Sequence, residues 1–340
     1  MAIPVNALGW GLVGASTIAR EYMIPAINAH PDSRVVAVMS SSAERGRRYA
    51  KQNDIPTAYD RLEDLLADRD VDVVYVSTTN ERHHDEALAA AAAGKHVLCE
   101  KPLALSLEDA REMVEACREA GVVMGTNHHL RNAATHRTIR RLVQEGAIGR
   151  PLAARVFHAV HLPEHLQTWR IQNPQAGAGV ILDITVHDTD TLRFILEDEV
   201  AEVTALAGRQ GLAVEGVEDA AMGVMRFERG VLAQFHDAFT IKHAGNGLQV
   251  HGTDASIFAE NVMTQNPVGR VFFRKGDVVE DVDVGKPEGL YARAVRLFNQ
   301  AVRGEGRPAA TGEDGIRSLA VALTALKSTR TGRHESVAYV

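Results

Sequence analysis

Cysteine is scarce in this chain: Cys99 and Cys117 are the only two among 340 residues. Their spacing is not that of a metal knuckle, and Cys99 sits inside an apolar run that reads as a buried strand. A disulfide framework is therefore excluded, and a reduced, cytoplasmic protein is expected. An excess of positive charge is also missing. With 37 Lys and Arg against 44 Asp and Glu the net charge is -7, which leaves no basic footprint for nucleic acid or an anionic membrane. Long hydrophobic runs are absent too: the alanine-rich residues 87–93 are far too short to span a bilayer and read as a packed helix face. The opening residues 1–13 are apolar but lack a basic segment and run directly into a glycine turn and a helix, unlike a secretory signal. There is no internal repeat and no long linker.

What is present is an ordinary soluble composition, 45% hydrophobic and 24% charged, in a chain long enough for two domains. The first third alternates strands (residues 8–13, 34–39, 71–76, 96–99 and 122–125) with helices (17–29, 43–52, 82–93 and 107–120). That grammar predicts a doubly wound parallel sheet, an α/β Rossmann domain. After about Asn127 it changes. A helix at 133–145 and a break at Gly149-Arg150-Pro151 lead to a strand at 153–160 and a helix at 179–196. Strands at 200–207, 219–227, 231–239, 248–251, 271–274 and 278–282 follow, then helices at 290–302 and 312–328. This half is expected to be α+β with a large, mostly antiparallel open sheet. The expected domains are 1–126 and 127–340, with the C-terminal helices free to pack back on the first.

The first strand-to-helix turn carries Gly14-x-Ser16-x-x-Ala19, at the position of a dinucleotide fingerprint. Gly14 would make the tight turn, Ser16 stands where a second glycine lets backbone approach a pyrophosphate, and Ala19 keeps helix and strand close. A serine hydroxyl there could bond a phosphate at the helix N-terminus. The plainer alternative is a strand-to-helix turn with no ligand. At the end of the second strand an NAD enzyme usually carries an acidic residue, and this chain has Ser40-Ser41-Ser42-Ala43-Glu44-Arg45. Ser41 and Glu44 are expected to form a capping box that places Arg45 in the first turn, where an anion such as the 2′-phosphate of NADP would explain it. The neighbouring Arg47 and Arg48 read equally well as a solvated helix face.

Gly94-Lys95-His96-Val97-Leu98-Cys99-Glu100-Lys101-Pro102 reads as an inner strand that ends by presenting an amine. The carboxyl ends of such strands are where open α/β sheets bind ligands, so Lys101 is a candidate catalytic residue; the bland reading is a lysine leaving for solvent. Asp183 and His187 stand four apart in an apolar, helix-compatible segment, which puts them on one face. A carboxylate that orients an imidazole leaves its other nitrogen to protonate a substrate oxygen, while an ammonium stabilises the charge growing there. The pair could instead be a structural cap with an interior histidine. No metal is assigned, since no second pair of ligands accompanies them. Further polar candidates are Thr78, Asn80 and His83 after the fourth main strand, Asn127 where the halves join, and His161 with Trp169 and Arg170 in an irregular segment.

With these residues in place the chain resembles the glucose-fructose oxidoreductase, inositol dehydrogenase and rhizopine-catabolism family over nearly its whole length. The fingerprint at Gly14, Asn80-x-x-His83, Glu100-Lys101-Pro102 and Asp183-x-x-x-His187 fall in the family's order and spacing. Within it the likeness is to keto-sugar reductases, carried by Gly14-Ala15-Ser16-Thr17-Ile18-Ala19-Arg20 and Gly125-Thr126-Asn127-His128-His129-Leu130-Arg131-Asn132. The resemblance implies NADP(H), preferred over NAD(H), bound by Gly14, Ser16, Thr17, Ile18, Ala19, Ser40, Ser41, Arg45, Thr78, Asn80, His83, Glu100, Lys101, Asn127, Trp169 and Arg170. It implies a small-molecule sugar held by Lys101, Asn127, His161, Trp169, Asp183 and His187, with Lys101, Asp183 and His187 catalytic. The competing expectations are an NAD(P)-dependent polyol or inositol dehydrogenase and a non-catalytic NADP sensor. A monomer and a homo-oligomer paired through the C-terminal sheet both remain open.

Overall fold

The computed structural model describes residues 7–339; residues 1–6, part of the stretch read above against a secretory signal, lie outside the described residues, as does Val340. The chain divides into two compact units, one running up to His129 and including Tyr291–Ile316, the other comprising Leu130–Leu290 and the residues from Arg317 onward. Among the described residues no helix is long and apolar enough to cross a membrane.

The first unit is a Rossmann domain. Its strands are β1 (Leu8–Val13), β2 (Ser33–Met39), β3 (Thr57–Tyr59), β4 (Val73–Val76), β5 (His96–Cys99) and β6 (Met124–Thr126). They form one parallel sheet in the order β3-β2-β1-β4-β5-β6. Residues 10–13, 35–39, 73–76 and 97–99 are buried without alternation, as strands covered on both faces must be. The connecting helices are α1 (Ile24–Ala29), α2 (Ala43–Gln52), α3 (Leu62–Ala67), α4 (His83–Ala92) and α5 (Leu107–Glu119). The expected helix over 17–29 forms, but its middle is a widened turn at Ala19–Met23, with the Ile24 amide reaching back to Ala19 O. Pro25 follows directly; it has no N–H to donate and its ring crowds the carbonyl of Glu21, so the helix relaxes at this point. Residues 57–67, left unassigned by the sequence pattern, form β3 and α3. Both are short, and β3 is only half-buried, so neither carries a strong periodic signal. Residues of 291–316 complete this unit. Phe298 packs on the fully buried Trp10 with ring centroids 5.5 Å apart, and the Thr126 amide donates to Ala310 O at 3.1 Å.

The second unit is α+β. It contains α6 (Ala134–Gln144), β7 (Pro151–Ala159), α7 (Trp169–Gln172) and α8 (Val186–Leu196), then β8 (Val200–Gly208), β9 (Ala220–Phe227), β10 (Leu232–Ala238), β11 (Gly247–Gly252), β12 (Ser256–Glu260), β13 (Arg270–Lys275) and β14 (Val278–Asp281). After these come α9 (Leu290–Val302), all but Leu290 of which belongs to the first unit, α10 (Gly312–Thr331), divided after Ile316, and β15 (Glu335–Ser336). The nine strands run β14-β13-β12-β11-β7-β10-β9-β8-β15 and are antiparallel except for the central pair β7 and β10. Side chains alternate across this sheet: Ala154, Val156, Ala233 and Phe235 are buried, while Leu206, Met222, Val224 and Leu232 are exposed. The pattern over 248–282 predicts three strands; β12 is a fourth. Helices α6 and α8 pack together around a buried ion pair, in which Arg131 donates to both oxygens of Asp190 at 2.7 Å. Ser318 adds a bond to Asp190 at 3.0 Å, and Arg193 donates to Glu199 at 2.6 and 2.8 Å. Two-pronged arginine contacts of this kind fix rotation as well as distance.

Candidate active site

In the first unit the predicted cofactor residues gather at the carboxyl ends of β1, β2, β4 and β5. Gly14 has φ +105, and a Cβ there would stand 3.1 Å from both Ser77 O and Thr78 Cγ2, so the turn accepts only glycine. The Ser16 hydroxyl accepts from the Ala19 amide at 3.1 Å and lies 2.8 Å from the Ser77 hydroxyl, while Tyr49 donates to Ser16 O at 2.8 Å. Ser16 thus caps the first helix and is held from two other elements. Beside it stand backbone donors: the amides of Thr17 and Ile18 bond no other described residue, which suits an anion at a helix N-terminus.

Beyond β2, Ser40 is buried and its hydroxyl accepts from Arg45 Nε at 2.8 Å. The cap of α2 is Ser42, which accepts from the Arg45 amide at 3.3 Å. The expected box of Ser41 and Glu44 does not form, because the helix begins one residue later than that pairing needs; Ser41 is exposed in the turn. Arg45 still falls in the first turn, its side chain steered to the strand end, whereas Arg48 pairs with Glu44 on the open face at 3.3 Å.

At β4 and β5 the polar residues brace one another. Thr78 donates to Glu86 at 2.5 Å, and burial pushes the Glu86 carboxyl up to about 7. Asn80 is buried in the short turn before α4. His83, expected against the cofactor, is instead fully enclosed, with its Nδ1 3.0 Å from Pro102 O. Burial lowers it to about 4, so it is neutral near pH 7 and Nδ1–H donates to that carbonyl. It therefore holds the turn after Lys101 from below, across a cis Lys101-Pro102 bond. Glu100 accepts from Tyr75 and, at 2.6 Å, from Asn127 Nδ2. Burial and the Glu100 charge keep the Tyr75 phenol protonated. Asn127 is buried, its amide N bonded to Cys99 O at 2.7 Å. Glu100 thus ties β4, β5 and the end of β6 together, and Lys101 projects from the turn they define.

In the second unit Asp183 lies in a widened turn, Ile181–Thr185, that leads into α8 and His187. The four-residue spacing thus spans a wide turn joined to α-helix, a departure from regular helix that recurs at functional sites. Its start is pinned by Gly179, whose φ of +121 leaves room for Glu218: a Cβ would come within 2.2 Å of that carboxylate. Glu218 accepts from the Ile181 amide at 3.2 Å. Arg170 sits over the Trp169 ring at 4.7 Å and 3.7 Å from Asp183 Oδ2, which joins two stretches that the sequence treats separately. His161 forms a bridge with Thr240 beyond the ends of β7 and β10. His187 is nearly buried, with the ring of His158 6.5 Å away between centroids.

Three neighbours of His187 escape the sequence reading. His158 Nδ1 lies 2.8 Å from Asp188 Oδ1, Thr185 donates to Asp237 at 2.5 Å, and Asp188 and Asp237 are both fully buried. Their signal is a polar residue in the inward phase of a strand: Ala154, Val156, His158 in β7 and Ala233, Phe235, Asp237 in β10. Among the described residues no cluster of three or more His, Cys, Asp or Glu is arranged for a metal ion.

Known proteins share this design. The family described as "Oxidoreductase family, NAD-binding Rossmann fold" matches residues 8–128, and the "GFO/IDH/MocA C-terminal domain" matches residues 136–258. A 1,5-anhydro-D-fructose reductase of Ensifer adhaerens is 59% identical over 324 residues, 95% of this chain and 97% of that one. A myo-inositol 2-dehydrogenase of Thermotoga maritima is 28% identical, covering 97% of each chain. The crystal structure of an aldose-aldose oxidoreductase from Caulobacter crescentus, complexed with glycerol, superposes with a TM-score of 0.89 at 24% identity, over 97% of this chain and 100% of that one. With both characteristic domains in order and such identity along nearly its full length, the chain belongs to the Gfo/Idh/MocA family of oxidoreductases.

Proposed function

We propose that this protein is an NADPH-dependent keto-sugar reductase that converts 1,5-anhydro-D-fructose to 1,5-anhydro-D-mannitol in the cytoplasm. The observation that carries this reading is the 59% identity to the reductase of Ensifer adhaerens. The contact of Arg45 with Ser40, at a strand end without an acidic residue, supports the choice of cofactor: the guanidinium stands ready for a 2′-phosphate, and no carboxylate competes for the ribose. Gly14 and the Thr17 and Ile18 amides would hold the pyrophosphate. A bound nicotinamide dinucleotide supplies the hydride.

The protein's own groups do the rest. As a carbonyl carbon accepts hydride, its oxygen takes on negative charge. Lys101, presented by the turn that Glu100 and His83 brace, stabilises that charge. His187 delivers the proton, so that one C–H and one O–H bond replace the C=O π bond. Asp183 keeps the imidazole oriented, with Arg170 beside it. Steady-state oxidation of NADPH across a panel of keto-sugars tests the reading. Turnover is expected to be greatest with 1,5-anhydro-D-fructose, and no turnover with any of the sugars overturns it.

A further inference from the structure

The mechanism above leaves a buried cluster of the second unit without a task. Asp237 of β10 is the direct register partner of His158 of β7, both in the inward phase of the sheet. Asp188 of α8 meets both. His158 Nδ1 is 2.8 Å from Asp188 Oδ1, and the carboxyl groups of Asp188 and Asp237 lie within hydrogen-bonding reach of each other. On its far side Asp237 accepts from the Thr185 hydroxyl at 2.5 Å. Neither aspartate has any exposed surface.

Two carboxylates in contact, shut away from water, do not both stay ionised, because repulsion and lost hydration act together. The neighbours decide which one keeps the proton. Asp188 takes the direct hydrogen bond from the His158 imidazole, a donor that stabilises an anion; Asp237 is bonded by the Thr185 hydroxyl and feels His158 only through space. The other titratable groups around the pair are His136 of α6, which burial and, to a lesser degree, the charge of His158 push down to about 4, and His187, next to Asp188 on α8.

We propose that Asp188 and Asp237 share one proton, carried by Asp237, and that the chain Thr185, Asp237, Asp188, His158 positions the wide turn and first turn of α8 that bear Asp183 and His187. The positioning half rests on the reading of His187 as the proton donor; the shared proton does not. Burial raises the Asp188 carboxyl to about 7, and burial together with the Asp188 charge drives Asp237 well above the carboxylate range, in the same order. For a carboxyl raised on folding, the contribution to stability is full below about 4, the unfolded value, and is lost as pH rises through the folded one.

The two aspartates therefore respond differently to the same substitution. Asp237→Asn supplies an amide that donates to Asp188 while its oxygen accepts from Thr185, so the variant folds and keeps its turnover. It loses the infrared carbonyl band of a protonated carboxylic acid that the wild-type protein shows near neutral pH. Asp188→Asn sets an amide where two donors converge. Its kcat falls roughly tenfold or more, its KM for NADPH holds, and its pH profile shifts. An infrared spectrum unchanged by Asp237→Asn overturns the shared proton. An Asp188→Asn enzyme with wild-type rate and pH profile overturns the positioning role. If no keto-sugar is turned over but Asp237→Asn removes the band, the functional reading and the positioning role fall together and the shared proton stands.

Discussion

The two sheets carry their polar chemistry in different places. In the six-stranded parallel sheet the strands β1, β2, β4 and β5 end on the apolar residues Val13, Met39, Val76 and Cys99, and the candidate site residues Gly14, Ser40, Thr78 and Lys101 stand just past those carboxyl ends. In the nine-stranded sheet polar groups sit within the strands: His158 and Asp237 occupy core-facing positions and are matched by Asp188 from a helix. A strand end lets a side chain meet ligand and solvent, so its charges need few partners. A charge in mid-strand is sealed, and survives only by pairing or by holding a proton.

The contrast is sharpest at the groups proposed as catalytic. Lys101→Ala is expected to lower kcat roughly 10²–10³-fold, the scale of losing one group that stabilises a developing oxyanion, while NADPH binding by fluorescence titration persists. Loss of NADPH binding, or an unchanged rate, would return Lys101 to a surface lysine. A smaller effect separates two arginines of α2. Arg45→Ala should weaken NADPH binding roughly tenfold and leave NADH binding as it is, whereas Arg48→Ala, which removes an exposed pair, should change neither. Equal losses for both cofactors would break the assignment of Arg45 to the 2′-phosphate. The smallest effect is structural. Tyr75→Phe removes a donor from Glu100 but leaves Asn127 in place, and chemical denaturation should show a loss of about 1 kcal/mol.

The same contrast governs what the sequence could tell. An apolar run followed by a polar residue at a glycine or proline turn is a readable signal, so the parallel sheet and the ends holding Gly14, Ser40 and Lys101 stand out. Helix caps are less readable: three serines in a row, Ser40 to Ser42, offer several starts, and only the backbone chooses Ser42. His83 shows a different limit, because motif spacing places it on a helix start without fixing which way its ring points; in the fold it points inward, to Pro102. The cluster of His158, Asp188 and Asp237 was hidden because its members are distant in sequence. His158 and Asp237 alone look like polar residues at alternating strand sites and Asp188 like a polar residue on a helix, and only the parallel register of β7 with β10 and the seating of α8 bring them together.

The return of residues 291–316 to the first unit bears on how the protein is made. Trp10, near the beginning of the chain, is covered by Phe298, and the edge strand β6 receives its contact with Ala310 from the same late segment. A nascent chain still attached to the ribosome can form the six strands early, yet cannot close the core of that unit until residues 291–316 have emerged, after the whole nine-stranded sheet but β15. The nucleotide-binding half therefore begins to fold first and is completed only after the strands β7 to β14 of the other unit have been made.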